Sequence, residues 1–362
     1  MPGPAAPRPV SLRPADGLPP QDGPPLLDAE DLAHAARHAT AVVPLLDWAA
    51  RTAPRLPLPG DGRTVELWSA LASVAAADVG AARVLEPHLD AVAVLAQVPG
   101  GVDLGALGAG TSATWGVFAA EGPDVRLVAE PTGSGATGWT LTGTKPWCSL
   151  ATHLSHALVT AWVGDERRLF AVGLRSDDVE PDGGPWVARG LAQVVSSPVH
   201  FAGAPAVPVG APGWYLDRPG FAWGGIGVAA CWWGGAVGLA RTLFETLRHR
   251  RPDPLAQSHL GAVDVALGGS RAALAEAAAQ VDAGVEGEAS ALLARRVRTV
   301  VADAVETVQR RCARALGPGP LTTDETFARR VADLGLYVRQ HHGERDEASQ
   351  GRALLAGEGQ PW

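Results

Sequence analysis

Lysine is almost absent from this chain: of its 30 basic side chains, Lys145 alone is not arginine. With 44 glycines and 30 prolines, this reads as coding bias rather than function. Positive charge is short overall. A formal net charge of −8 argues against a nucleic-acid or anionic-membrane surface, which needs clustered cation, although an arginine pair or a helix end still suffices to hold a phosphate. Cysteine is scarce and scattered. Cys148, Cys231 and Cys312 show neither metal-ligand spacing nor a disulfide framework, so no metal and a reducing cytoplasm are expected. Residues 1–25 are rich in Pro and Gly and have no apolar core of a secretory signal. A flexible tail of polyproline character is expected there. One membrane candidate, residues 221–240, is uncharged for long enough to span a bilayer. Their six glycines and few Leu or Ile weaken insertion, and a buried helix is expected instead of a span.

What is present suits a well-packed chain. At 362 residues, 46% hydrophobic and 19% charged, two or three subdomains are expected. Helical periodicity begins near Asp28, an N-cap followed by Glu30 and Asp31. It returns over residues 64–77 and 81–98, where Val84, Leu85, His88, Val92 and Leu95 share a face. Pro99, Gly100 and Gly101 end it. From Thr111 the period becomes alternating, and residues 115–120, 126–129, 139–142, 157–162, 168–172 and 194–201 read as strands. Helix resumes over 234–250, 255–282, 288–316 and 324–340, with Leu293, Val297, Val301, Val305, Val308, Cys312 and Leu316 as one stripe.

The most specific pattern is Gly138-Trp139-Thr140-Leu141-Thr142-Gly143-Thr144-Lys145-Pro146-Trp147-Cys148-Ser149, followed by an apolar run to Trp162. Its first half reads as a tight hairpin in which Gly143 turns the chain ahead of Lys145. Its second half puts an aromatic ring, a thiol and a hydroxyl together at a strand end. This stretch resembles the middle β-domain of the acyl-CoA dehydrogenase superfamily, whose pattern Gly-Trp-x-Leu-x-Gly-x-Lys-x-Trp-x-Ser/Thr carries flavin-facing residues. The order of helices, strands and helices resembles that superfamily independently. The resemblance implies an α+β fold: a helical N-terminal domain (26–110), an antiparallel, barrel-like β middle domain (111–215) and a C-terminal helical bundle (216–362). It also implies FAD as cofactor and a homodimer or homotetramer whose cofactor sites are completed across subunits.

Carried over position by position, the resemblance puts Trp147 beside the flavin ring and Ser149, with Cys148 between them, at the ring's polar edge. Phe118, Ala120 and Glu121 stand where the family has Tyr-x-x-Thr-Glu; only the Glu is kept, so this segment reads either as a flavin wall or as a plain buried strand. Arg250, or Arg251 next to it, stands near the family's phosphate-binding Arg, without the Phe-Gly that follows it there; a solvated helix end is the alternative. Gly317 and Gly319 stand where the family's Gly-Gly-x-Gly meets the cofactor's diphosphate, or form a bland loop.

The catalytic base departs from the family. Where a Glu is expected late in the chain stands His341, followed by His342; the other family position, on the first bundle helix, holds Val228. A His suits acid–base work at neutral pH, and Glu344 or Asp346 downstream is another source of a base. A polar helix end is the bland alternative. Adjacent histidines diverge on a helix, which argues against a metal site. The leading expectation is a flavin-dependent α,β-dehydrogenation of a small acyl thioester, an acyl-CoA being the candidate, with an atypical base. A flavin-dependent monooxygenase of the same fold and a flavin-free binding subunit stand beside it.

Overall fold

Helix α1 (Ala29–Arg37) starts at a capping box: Asp28 accepts from the Glu30 and Asp31 amides, and Asp31 reaches back to the Asp28 amide. The computed structural model describes residues 7–13, 25–133, 137–251 and 253–357, so residues 1–6 and 14–24 of the expected tail lie outside it. Residues 7–13 do not behave as a tail. The Val10 and Leu12 amides donate to Ser73 and Ser69 of α3 (Thr64–Ala77), and Leu12 is fully buried. Helices α2 (Val42–Thr52) and α4 (Val79–Ala96) complete the N-terminal helices. Asp78 closes α3 and caps α4 by accepting from the Ala81 amide.

Strands follow: β1 (Trp115–Phe118), β2 (Leu127–Pro131), β3 (Trp139–Ser149), β4 (His156–Val163), β5 (Glu166–Gly173), β6 (Val179–Pro181) and β7 (Ser196–Val209). They pair in the order β1-β4-β2-β3-β7-β5, and β5 returns to β4, so five of them close a ring; β6 pairs β7. The expected antiparallel sheet is in fact mixed, because β1 and β2 both run parallel to β4. The β2–β3 excursion acts as the crossover that a parallel β1–β4 pair requires. The expected hairpin at Gly143 is also absent. Strand β3 runs unbroken from β2 on one side to β7 on the other. Gly143 stays in the strand at φ +121, where a Cβ would collide with the Arg126 carbonyl oxygen. Both the dihedral and the contact demand glycine, so Gly143→Ala is expected to cost about 2 kcal/mol, read as a lower denaturant midpoint at unchanged slope.

After the short α5 (Trp214–Asp217) come α6 (Pro219–Arg248), α7 (Pro254–Asp282), α8 (Gly287–Leu316), α9 (Gly319–Thr323), α10 (Glu325–Tyr337) and α11 (Glu344–Ala356). By length and composition α6 could cross a membrane, but 72% of its most apolar window is buried inside the protein. It packs against α3 and α8 as the central core helix. The expected α8 stripe faces that core, with Val297, Val301, Val305, Val308, Cys312 and Leu316 buried and Leu293 partly so. Gly317 ends α8 at φ +66. Helix α11 has no buried residue and no apolar face to announce it.

Candidate active site

A cavity of about 670 Å³ opens where α4, β1, β3, α6, α10 and the loop before β7 meet. Its helical wall is the stripe Arg83, Glu86, Pro87 and Asp90, spaced to lie on one face of α4. Val117, Ala119, Ala120 and Val228 supply apolar surface; Trp147, Trp186, Tyr215 and Tyr337 supply rings. Helix α4 is fixed to the sheet by His88, whose Nδ1 accepts from the Trp115 amide at 3.2 Å. Burial pushes His88 down to about 4 and keeps it a neutral acceptor.

Glu86 is the polar centre. The Tyr337 hydroxyl donates to its Oε2 at 3.2 Å, and Arg83 Nη1 lies 3.5 Å from the same oxygen. Burial pushes Glu86 up to about 7 against the pull of Arg83, with the Asp90 charge one turn away raising it further. Arg83 also donates through Nη2 to Ser149 Oγ at 3.3 Å, and Ser149 Oγ is 2.7 Å from Ser196 Oγ. Asp90 is likewise raised by burial and sits 3.7 Å from Arg218. A carboxyl that titrates near neutrality, a guanidinium and a serine hydroxyl thus form one connected chain along the cavity wall.

Of the residues expected from the sequence, Ala120, Glu121, Trp147, Ser149 and His342 meet in this cavity. Trp147 is held at φ +58 and is 61% exposed, so its ring is free to stack on a ligand. That left-handed turn sends the next side chain the other way: Cys148 is fully buried, its Sγ 3.3 Å from the Lys145 carbonyl oxygen and its thiol pushed well up by burial. Phe118 is buried in the core and does not line the cavity. Glu121 is held in place: Lys145, itself 1% exposed, donates to its Oε1 at 2.7 Å and to Thr160 at 2.8 Å. His341 turns away from the cavity, its Nε2 3.0 Å from Thr299 Oγ1 and 3.8 Å from Asp346. Burial lowers its affinity for a proton. His342, largely exposed, contacts Asp346 at 3.4 Å, so that carboxylate is engaged by both rings. Neither Glu344 nor Asp346 lines the cavity. Arg250 lies on the exposed turn after α6, and Gly317 and Gly319 at the ends of α8 and α9; none of the three is in the cavity wall.

The sequence reading missed Arg83, Glu86, Asp90, Trp186, Tyr215 and Tyr337. The signal for the first three existed, since a charged stripe at spacing three and four runs opposite the apolar face of α4. On an isolated helix such a stripe is a solvated face; here α6, α10 and the sheet cover it. Among the described residues no cluster of three His, Cys, Asp or Glu side chains is placed to hold a metal.

No protein-family model matches the chain, and no curated protein matches it either. Solved structures do. Dibenzothiophene monooxygenase (TdsC) from Paenibacillus sp. A11-2 superposes with a TM-score of 0.70 at 19% identity, covering 91% of this chain and 98% of that one. A nitrososynthase from Micromonospora carbonacea var. africana gives 0.73 at 18% identity, with 90% and 93% covered. Butyryl-CoA dehydrogenase from Megasphaera elsdenii gives 0.71 at 15%, with 90% and 96% covered. At such identities the likeness speaks for the fold alone, and this chain shares its fold with butyryl-CoA dehydrogenase and the two other enzymes.

Proposed function

We propose that the protein is a flavin-dependent oxidoreductase that uses dioxygen to oxygenate a small, largely apolar substrate in the 670 Å³ cavity. One observation carries this reading: the carboxyl able to move a proton is Glu86 on α4. The two positions where the resemblance puts a dehydrogenase base hold Val228 and a His341 turned towards Thr299. The cavity wall suits a flavin. Val117, Ala119, Ala120 and the exposed Trp147 offer a flat ring an apolar and aromatic surface, and the Ser149 hydroxyl offers its edge a hydrogen bond. When bound and reduced, the flavin supplies two electrons to dioxygen, so that one oxygen atom enters the substrate and the other leaves as water. Glu86 holds or releases a proton near neutral pH, with Tyr337 and Arg83 fixing its Oε2. Trp186, Leu191 and Val194 wall the cavity from the loop side and limit water. The monooxygenase TdsC, which has been solved bound to FMN, supports this reading. FMN is favoured over FAD because the similar monooxygenase TdsC has been solved with FMN. A homodimer or homotetramer, on the resemblance, and a cytoplasmic location, on the scarce and scattered cysteines, belong to the same proposal.

Dehydrogenation of an acyl thioester is the second reading, favoured by Glu86 being a carboxylate and by the likeness to butyryl-CoA dehydrogenase. Reduced flavin, dioxygen and a panel of small aromatic and aliphatic substrates test the first: substrate-dependent product carrying oxygen from the gas supports it. Anaerobic bleaching of the bound flavin by an acyl-CoA would favour the second. Trp147→Ala is expected to weaken flavin binding about tenfold, the scale of a lost aromatic stack with its buried area, as read by fluorescence titration.

A further inference from the structure

The loop between β6 and β7 (residues 182–195) contains no helix or strand, yet it supplies Trp186, Leu191 and Val194 to the cavity wall. Its node is Leu191. The Leu191 amide donates to Asp333 Oδ1 of α10 at 2.6 Å. The Leu191 carbonyl oxygen accepts from the Val194 amide at 2.9 Å and from the Trp186 indole at 3.2 Å. Leu191 is held at φ +50, a left-handed conformation that a leucine keeps only where its surroundings impose it. Gly190 helps to impose it, lying so close to α10 that a Cβ would collide with the Ala332 carbonyl oxygen. On the far side Gln193 donates to the Ala39 carbonyl oxygen at 2.7 Å.

Asp333 is 1% exposed, and its Oδ2 has no hydrogen-bond partner. Burial pushes its carboxyl up to about 6 against the pull of the Leu191 amide. Of the charged groups that face it, Asp78 from the α3–α4 junction adds to the rise, and Arg329 and Arg330 of α10 oppose it. Asp78 is itself paired with Arg329 at 2.9 Å. One turn along the same face of α10, Tyr337 holds Glu86, so a single helix fixes both the acid–base group and the loop wall. We propose that Asp333 is a positioning residue for the cavity: it latches the wall formed by Trp186, Leu191 and Val194 onto α10, firmly as a carboxylate and loosely once protonated. An ionised acceptor makes a hydrogen bond about twice as strong as a neutral one. The inference deepens the proposed function and rests on it only in taking this cavity as the substrate site. With the latch firm, the wall keeps its shape and water stays out; with the latch loose, the wall gives and the grip on substrate falls. Only a proton moves in that change.

The test uses the full chain without flavin or substrate, so a failure of the flavin reading leaves it intact. With 5-fluorotryptophan incorporated and Trp186 assigned through Trp186→Phe, the Trp186 fluorine resonance is expected to titrate with a midpoint near 6. Asp333→Asn, which keeps the shape and a neutral acceptor, is expected to fix the resonance near its low-pH position, and Glu86→Gln to leave the titration in place. Deuterium exchange of residues 186–194 at neutral pH is expected to be about tenfold faster in Asp333→Ala and to fall between the two in Asp333→Asn. A Trp186 resonance blind to pH overturns the proposal. So does a titration that survives Asp333→Asn, or an exchange rate unchanged in Asp333→Ala.

Discussion

Glu86→Gln is expected to lower turnover by about 10²- to 10⁴-fold, the range for loss of a positioned acid–base group, and to remove a pH inflection near 7. Gln keeps the shape and the acceptor for Tyr337 and Arg83, so flavin and substrate affinity should change little and the loss should fall on kcat. The same group shapes stability. Glu86 titrates at about 7 in the folded chain against an ordinary 4.5, so between these values the folded chain holds a proton that the unfolded chain has released. Its contribution is full below about pH 4.5 and is lost as pH rises through about 7. Denaturant titrations of wild type and variant across this window should differ in slope with pH. A variant with the wild-type pH–rate profile would remove Glu86 from the chemistry.

Gly234→Ala is expected to damage the scaffold strongly for so small a change. Gly234 lies on α6 where it crosses α3. A Cβ there would collide with the Ala72 carbonyl oxygen and come within 2.7 Å of the Ala72 Cα and carbonyl carbon. All three are backbone atoms, so no rotamer relieves the clash and the two helices must separate. A loss of about 3 kcal/mol follows from overpacking of this kind, visible as a lower midpoint of unfolding with the slope preserved. Because α6 carries Val228 in the cavity wall, the separation should also loosen the cavity and weaken ligand binding. A midpoint within experimental scatter of the wild type would mean that the helices are not this close.

The parts of the fold that were legible in the sequence are those set by local chemistry. Asp28 announced its N-cap, Thr64–Ala77 matched its period, and the α8 stripe faced inward as spaced. The errors arose where long-range pairing decides. Gly143 looks like a turn in a short window, but its φ of +121 lets β3 pass close to Arg126 instead. The parallel pairings of β4 join strands far apart in sequence, which alternation alone cannot register. The same division holds at the site. Trp147 and Ser149, which line the cavity, sit in one contiguous pattern, whereas Glu86 stands in a charged stripe that becomes a cavity wall only when α6 and α10 close over it. Cys148, between Trp147 and Ser149, was misplaced because the left-handed backbone at Trp147 sends it into the core.

The central claim is that a flavin ring occupies the cavity against Trp147 and Ser149. It is tested most directly by titrating the purified protein with FMN and with FAD, oxidised and reduced, while following the visible spectrum and flavin fluorescence. Stoichiometric binding with a perturbed spectrum, tighter for FMN and weakened in Trp147→Ala, is the predicted result. A protein that leaves both flavins free in either redox state would contradict the account.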